Sequence, residues 1–247
     1  AGMLSAMGVL MATRLGPDLP QPEPRLGFKQ LIWVLIGIGF CIATVAATRS
    51  TRWLARYKYL WALGGILLVS ITLIHARNVN FDSPTHDQLN LGPAGLAFQP
   101  SELLKICLVI FYAAYLAENR EILALEGRKV GPIYIPPLKH LGPLIGMLLI
   151  ALVLFVGLRE LGLALLIFGI FVSMIYLASG RLAYVYYGLG GFAVGAFIAY
   201  NLFSYVRDRV AIVATAFQPD VADNKGYQIV QGLIALGSGG VLGQGFG

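Results

Sequence analysis

Long apolar runs separated by shorter polar stretches dominate the chain. A helix that crosses the roughly 30 Å hydrocarbon core of a bilayer needs about 20 apolar residues. Each apolar run is hydrophobic on nearly every helical face, unlike the one-sided stripe of a soluble helix. The pattern predicts spanning helices at residues 31–48, 59–74, 101–117, 141–158, 161–179 and 182–203, with a partial helix at 1–12.

The composition supports the same fold class. The chain is 57% hydrophobic and 12% charged, whereas a soluble domain carries about 25% charged residues. The net charge of +6 does not indicate nucleic-acid binding, because the Lys and Arg residues lie between apolar runs, next to anionic lipid headgroups. We therefore expect an all-α polytopic transmembrane bundle of about seven spanning helices that contacts membrane lipids and no nucleic acid.

Basic loops predict the orientation. Residues 48–58 contain four Lys or Arg residues and no acid, and residues 119–140 contain four more. Two predicted helices separate these loops, so the loops share one side, which the positive-inside rule assigns to the cytoplasm. Residues 77–100 and a long loop after Tyr205 are then extracytoplasmic, and long loops of this kind often carry function.

A polar motif begins the predicted helix at 101–117. Pro100 suits the first helical turn, and Glu102 complements the helix dipole there. Lys105 lies three residues later on the same face, where it can pair with Glu102. A stabilising ion pair explains this pattern, and so does a pocket for an anionic headgroup beneath the outer surface. The motif reads Gln99-Pro100-Ser101-Glu102-Leu103-Leu104-Lys105.

Other polar residues follow the later helices. Arg207 and Arg209 lie just after the last predicted spanning helix, where guanidinium groups serve either as phosphate ligands or as interfacial anchors. Glu160 occupies a short gap between two helices. Gln228 and Gln231 lie off the apolar face of a short predicted helix, as expected for an interfacial or re-entrant segment.

Together these segments resemble the SEDS family (shape, elongation, division and sporulation), the FtsW/RodA/SpoVE proteins. Leu91-Gly92-Pro93 and the motif at 99–105 are similar to the family's QPSE-x-x-K region. Glu160-Leu161-Gly162 resembles its acid-Leu-Gly element, in which the acid is usually Asp. Residues 226–247 resemble its GYQ…Q…GSGG…GxGxG run. The three motifs occur in order along nearly the whole chain.

The resemblance implies a peptidoglycan glycosyltransferase with about ten spanning helices in the bacterial cytoplasmic membrane. Such a protein polymerises lipid II, an undecaprenyl-diphosphate disaccharide peptide, at the outer face during division or elongation, usually with a class B penicillin-binding protein. Arg207 and Arg209 enter the expected site through their charge and not through the resemblance. The expected substrate-binding residues are Gln99, Ser101, Glu102, Lys105, Glu160, Arg207, Arg209, Gln228 and Gln231.

The resemblance also sets what the chain is expected to lack. The family's proposed catalytic Asp follows the glycine run, so no catalytic residue is expected before Gly247. Residues 1–247 are therefore interpreted as one transmembrane domain truncated at both ends, and inactive alone. The sequence indicates no cofactor or metal site, and a divalent cation stays open. Two other functions also stay open: a lipid II flippase or other multi-pass transporter, and a non-catalytic scaffold for a transpeptidase.

Overall fold

The chain divides into two compact units, Ala1–Tyr57 and Lys58–Gly247. The structure is a computed structural model. It describes residues 2–18, 25–48, 51–79, 89–90, 97–125, 128–130, 133–135, 138–224, 226–240 and 243.

The first unit is a pair of apolar helices with two short helical segments. Helix α1 packs against α2, and a Cβ atom at Gly27 would overlap the side chain of Thr13. Glycine at this position therefore allows the two helices to approach. Most side chains of α2 are exposed, as expected for a helix that faces lipid. The elements are α1 (Gly2–Leu15), a 3-10 turn (Gly16–Asp18), α2 (Leu26–Ala47) and α3 (Arg52–Arg56).

The second unit is a larger helix bundle with two short antiparallel strand pairs. Strand β1 pairs with β2, and β3 pairs with β4. The helices are α4 (Lys58–Val79), α5 (Pro100–Leu125), α6 (Leu138–Gly157), α7 (Leu161–Ser179), α8 (Leu182–Leu202), α9 (Ser204–Thr215), α10 (Pro219–Ala222) and α11 (Tyr227–Gly239). The strands are β1 (Leu89–Asn90), β2 (Ala97–Phe98), β3 (Arg128–Val130) and β4 (Ile133–Ile135).

Helix α5 forms the centre of this bundle. It packs against α4, α6 and α7, and half of its apolar membrane-spanning segment is buried. Aromatic rings join the helices: the centroid of Phe111 lies 5.5 Å from that of Tyr59 on α4, and the centroid of Tyr112 lies 5.4 Å from that of Phe171 on α7. Ring contacts of this kind add to the burial of apolar area, so they help to hold α5 against α4 and α7.

Contacts along α4 and α5 show that the two helices are antiparallel. Lys58, at the start of α4, pairs with Glu118 near the end of α5. Farther along, Gly65 faces Leu104, near the start of α5. A Cβ atom at Gly157, the last residue of α6, would lie 3.3 Å from Leu73 of α4. The beginning of α5, the end of α6 and the second half of α4 therefore lie at the same end of the second unit.

The prediction of an all-α membrane bundle is confirmed. Among the described residues, α2, α5, α6, α7 and α8 contain segments long and apolar enough to cross a bilayer, while α1 and the apolar part of α4 are shorter. The predicted boundaries were less accurate. Helix α5 continues to Leu125, beyond the predicted residue 117, and the predicted loop after Tyr205 is helical over Ser204–Thr215. The motif residues at 91–93 and 244–247 lie outside the described residues.

Candidate functional site

The Glu102–Lys105 pair predicted from its spacing is present. Lys105 Nζ donates a hydrogen bond of 2.7 Å to Glu102 Oε1. The two side chains differ in exposure, because 18% of the lysine side chain is accessible and 56% of the glutamate side chain. The lysine side chain is thus largely buried, and the carboxylate is presented at the beginning of α5.

The local sequence explains how the pair is placed. Pro100 is the first residue of α5, where its missing N–H would have no helical partner in any case. The carbonyl of Gln99 accepts a 3.1 Å hydrogen bond from the N–H of Glu102. Ser101 is buried, with 1% exposed, and Leu104 is fully buried. The side chains of Ser101 and Leu104 point into the bundle. The opposite face of α5, which carries Glu102, therefore points outward.

A second ion pair lies at the opposite end of α4 and α5. Lys58 pairs with Glu118, and its Nζ lies 5.5 Å from the ring centroid of Tyr59 and 5.9 Å from that of Tyr115. Only 11% of the Lys58 side chain is exposed. Cation–π contacts strengthen as the cation is desolvated. Lys58 therefore fixes α4 against α5 far from the Glu102–Lys105 pair.

The junction between α6 and α7 contains a strained arginine. Arg159 adopts φ +62°, in the left-handed region that non-glycine residues rarely occupy. Its N–H donates to Val156 O at 3.1 Å, and the N–H of Glu160 donates to Phe155 O at 2.8 Å. These two bonds form a Schellman motif, which usually has glycine at the left-handed position. Gly180 takes that conformation after α7, with φ +67°.

Tyr205 connects this junction to the start of α9. Its hydroxyl donates a 2.7 Å hydrogen bond to Val156 O, and the guanidinium of Arg159 lies 6.0 Å from its ring centroid. Burial raises the pKa of Tyr205, and the nearby charge of Arg159 offsets part of this increase. The phenol therefore remains protonated and able to donate near neutral pH.

The remaining predicted residues are not joined directly to the pair. Glu160 is half-buried and forms the N-cap position of α7 without a side-chain capping bond. Arg207 and Arg209 are exposed on α9, and Gln228 and Gln231 are exposed on α11. Within the described part of the chain, none of these four exposed side chains is linked to Glu102 or Lys105 by a hydrogen bond or an ion pair.

The described residues contain no cluster of three or more His, Cys, Asp or Glu side chains that could hold a metal ion. A family model described as "Cell cycle protein", that of the FtsW/RodA/SpoVE proteins, matches residues 2–247. The chain belongs to this family.

Curated relatives of this FtsW/RodA/SpoVE chain carry consistent names. "Peptidoglycan glycosyltransferase RodA" of Mycobacterium bovis is 30% identical over 248 residues, which cover 99% of this chain and 52% of the relative. "Probable peptidoglycan glycosyltransferase FtsW" of Thiomicrospira cyclica is 27% identical over 251 residues, covering 99% and 59% of the two chains. The chain thus spans about half the length of the curated relatives it matches.

A solved structure shares the fold of this family member. It is described as "Structural coordination of polymerization and crosslinking by a peptidoglycan synthase complex". The TM-score is 0.60 at 28% sequence identity, and the match covers 97% of this chain and 65% of that chain. The predictions of the family and of a multi-pass protein of the bacterial cytoplasmic membrane are confirmed.

Sequence reasoning missed three features of the second unit. Arg159 is not among the residues expected from the sequence, because sequence does not reveal a left-handed backbone at a non-glycine residue. The bond from Tyr205 to Val156 spans 49 residues, so no local pattern indicates it. Lys58 was counted as one charge of a basic loop, although it is largely buried against two tyrosine rings.

Proposed function

We propose that the protein to which this chain belongs is a peptidoglycan glycosyltransferase that polymerises lipid II at the outer face of the cytoplasmic membrane. Family membership and the names of the curated relatives support this proposal. The Glu102–Lys105 pair at the beginning of the central helix α5 is the observation that connects the proposed function to individual residues. The flippase and scaffold alternatives have no comparable support, since the relatives described above are named as glycosyltransferases.

The geometry of Lys105 suits a diphosphate. An ammonium group has three N–H donors, and the described contacts of Lys105 use one of them, with Glu102. The remaining donors can bind phosphate oxygens. Because little of the Lys105 side chain is exposed, its charge is less screened by water than a surface lysine. We assign Lys105 to the diphosphate of the lipid substrate.

The proposed reaction is a glycosyl transfer. The 4-hydroxyl oxygen of one disaccharide forms a bond to the anomeric carbon of another, and the bond from that carbon to the diphosphate oxygen breaks. The hydroxyl proton passes to a carboxylate base, and undecaprenyl diphosphate leaves with the bonding electron pair. Cationic groups stabilise the charge that develops on the leaving diphosphate. Lys105 supplies such a group, and Glu102 holds it in place.

The other expected residues extend this site by proposal. Glu160 lies beside the strained junction at the same end of the second unit as Glu102. The guanidinium groups of Arg207 and Arg209 would add positive charge for a diphosphate. We also assign substrate contacts to Gln99, Ser101, Gln228 and Gln231.

The proposed partner is a class B penicillin-binding protein. A glycan strand made at the outer face must be cross-linked, and a transpeptidase supplies that reaction. The solved structural relative is described as a complex that coordinates polymerisation and crosslinking. Purification of the full-length gene product under mild conditions, followed by labelling with a fluorescent penicillin, tests the association. A preparation that polymerises lipid II but retains no penicillin-binding protein contradicts it.

Substitution of Lys105 tests the assignment of the diphosphate site. We expect Lys105→Met in the full-length gene product to fold normally and to polymerise labelled lipid II at least about 100-fold more slowly, as for removal of one preorganised transition-state contact. Lys105→Arg should restore only part of the activity, because the guanidinium fork is bulkier than an ammonium. The measurements are glycan-strand synthesis and thermal unfolding.

Lys139→Met is the matched control, since Lys139 is exposed at the other end of the second unit, at the start of α6. It should retain normal activity. If Lys105→Met unfolds at the temperature of the wild type and polymerises lipid II at the normal rate, Lys105 is only the structural partner of Glu102. That result would remove the residue-level basis of the proposal.

A further inference from the structure

A large apolar cleft lies within the second unit. It has a volume of about 1650 Å³ and is lined by α6, α7, α8 and the start of α9. The lining includes Leu152, Val153 and Val156 of α6 together with Ala199 and Leu202 of α8. Side chains of this kind are solvated better by lipid than by water. Within a membrane-spanning bundle, such a cleft suits hydrocarbon chains.

Glycines keep the α8 wall of the cleft open. Gly191 and Gly195 line the cleft, and a Cβ atom at either position would meet no other atom within 4 Å. Glycine in a helix costs up to about 1 kcal/mol relative to alanine. Neither glycine is required for close packing within the described structure, so their effect is to leave space.

One cation lies at the end of this cleft. Arg159 is the only charged residue among the described residues that line it, and its side chain is exposed. Its left-handed backbone costs about 1–3 kcal/mol for a non-glycine residue. Glycine would avoid that cost, as Gly180 does after α7. Arginine at position 159 therefore supplies a positive charge even though its backbone conformation is strained. We take this as an indication that the charge has a role.

The polar groups of the cleft match a phosphodiester better than a sugar. A glycan needs many donors and acceptors, whereas the described lining contains one cation and five hydroxyl groups, from four tyrosines and Ser204. The hydroxyls of Tyr184 and Tyr205 already donate to backbone carbonyls. A single guanidinium carries one positive charge, and its planar fork can donate two hydrogen bonds to two oxygens of one phosphate. It therefore fits a headgroup with one negative charge.

We propose that this cleft is a binding site for an anionic phospholipid, with the phosphate on the guanidinium of Arg159 and the acyl chains along α6 and α8. Arg159 follows the end of α6, which lies at the same end of the second unit as the beginning of α5. The orientation predicted from the basic loops makes this the extracytoplasmic end, so the proposal places the lipid in that leaflet. Neither Glu102 nor Lys105 lines the cleft, and the proposal does not depend on the glycosyltransferase assignment.

Lipid retention by the purified full-length gene product tests this proposal. Phosphatidylglycerol and phosphatidylcholine with identical acyl chains are added to delipidated protein in detergent, and bound lipid is measured by native mass spectrometry. The wild type should bind phosphatidylglycerol preferentially. Arg159→Gln should weaken that binding about tenfold or more, as for loss of a charge-assisted hydrogen bond. Arg120→Gln is the matched control, on an exposed arginine of α5 outside the cleft lining, and should bind normally.

Two further variants separate folding from binding. Arg159→Gly removes the charge while relieving the left-handed strain, so it should unfold no earlier than the wild type yet bind the lipid weakly. Gly195→Leu places a side chain in the cleft and should also abolish preferential binding. Its control is Gly190→Leu, because Gly190 does not line the cleft and has open space around it.

Several results would overturn the proposal. Equal binding of the two phospholipids would show that the headgroup charge is not recognised. Unchanged binding by Arg159→Gln or by Gly195→Leu would remove the phosphate site or the acyl-chain site. Retention of undecaprenyl diphosphate in preference to phosphatidylglycerol would assign the cleft to a substrate lipid. A crosslink from Gly195→Cys to another protein, without bound lipid, would assign it to a membrane helix.

Discussion

The adjacent glycines Gly64 and Gly65 of α4 provide a test of how α4 packs against α5, because the same substitution to valine can be made at each position. A Cβ atom at Gly65 would lie 3.0 Å from Leu104 Cδ1, 3.1 Å from Cys107 Cβ and 3.3 Å from Leu104 Cα. A Cβ atom at Gly64 would meet nothing within 4 Å. Gly65→Val should therefore force α4 and α5 apart, whereas Gly64→Val should not.

The expected magnitude follows from these distances. Carbon atoms in favourable contact lie about 3.5–4.0 Å apart, and two of the three atoms that Gly65→Val would meet are fixed to the backbone of α5. Overpacking of this kind costs about 1–3 kcal/mol, offset by a few tenths of a kcal/mol because valine suits a helix better than glycine. For a chain of this size, each kcal/mol lowers Tm by roughly 2–4 °C.

Thermal unfolding in one detergent, followed by tryptophan fluorescence, measures the effect. Gly65→Val should unfold several degrees below the wild type, and Gly64→Val should unfold close to it. Equal Tm values for the two variants would refute the close packing of α4 on α5 at Leu104. A lower Tm for Gly64→Val than for Gly65→Val would place the wrong face of α4 against α5.

Two further predictions use the same unfolding assay. Lys58→Met should reduce the free energy of unfolding by about 0.5–2 kcal/mol, because it removes an ion pair and contacts with two tyrosine rings. Lys139→Met, on an exposed lysine, should change the free energy of unfolding by less than about 0.5 kcal/mol. Equal effects of the two substitutions would contradict the role of Lys58 in holding α4 against α5. Tyr205→Phe should lower the free energy of unfolding by about 0.5–1.5 kcal/mol through loss of the hydrogen bond to Val156. Tyr186→Phe, on a residue that is 70% exposed, should leave it unchanged. An unchanged free energy of unfolding in Tyr205→Phe would argue against the connection of α9 to α6.

Hydropathy was sufficient to predict the bundle because each spanning helix must satisfy its own backbone hydrogen bonds in lipid. The predicted segments at 161–179 and 182–203 agree with the observed helices to within one residue. Helix α5 was predicted too short, since its last two turns are more polar and lie beyond the apolar run. Helix α9 was missed because charges interrupt its apolar pattern.

The candidate site was predictable where the interaction is local. The pairing of Glu102 with Lys105 follows from three-residue spacing on one helix, and the structure contains it. Among the helix glycines, Gly65 permits close packing, whereas a Cβ atom at Gly64 or Gly195 would meet nothing. Both types of glycine look the same in the sequence, because only the neighbouring helix distinguishes them.

The polymerisation of lipid II in vesicles tests the central claim most directly. The full-length gene product is reconstituted with fluorescent lipid II, and glycan strands and transbilayer movement of the lipid are measured in the same sample. The proposed function predicts glycan strands from the wild type and a loss of at least about 100-fold with Lys105→Met. Movement of lipid II across the bilayer without glycan product, or neither product nor movement in a correctly folded sample supplied with its transpeptidase partner, would contradict it.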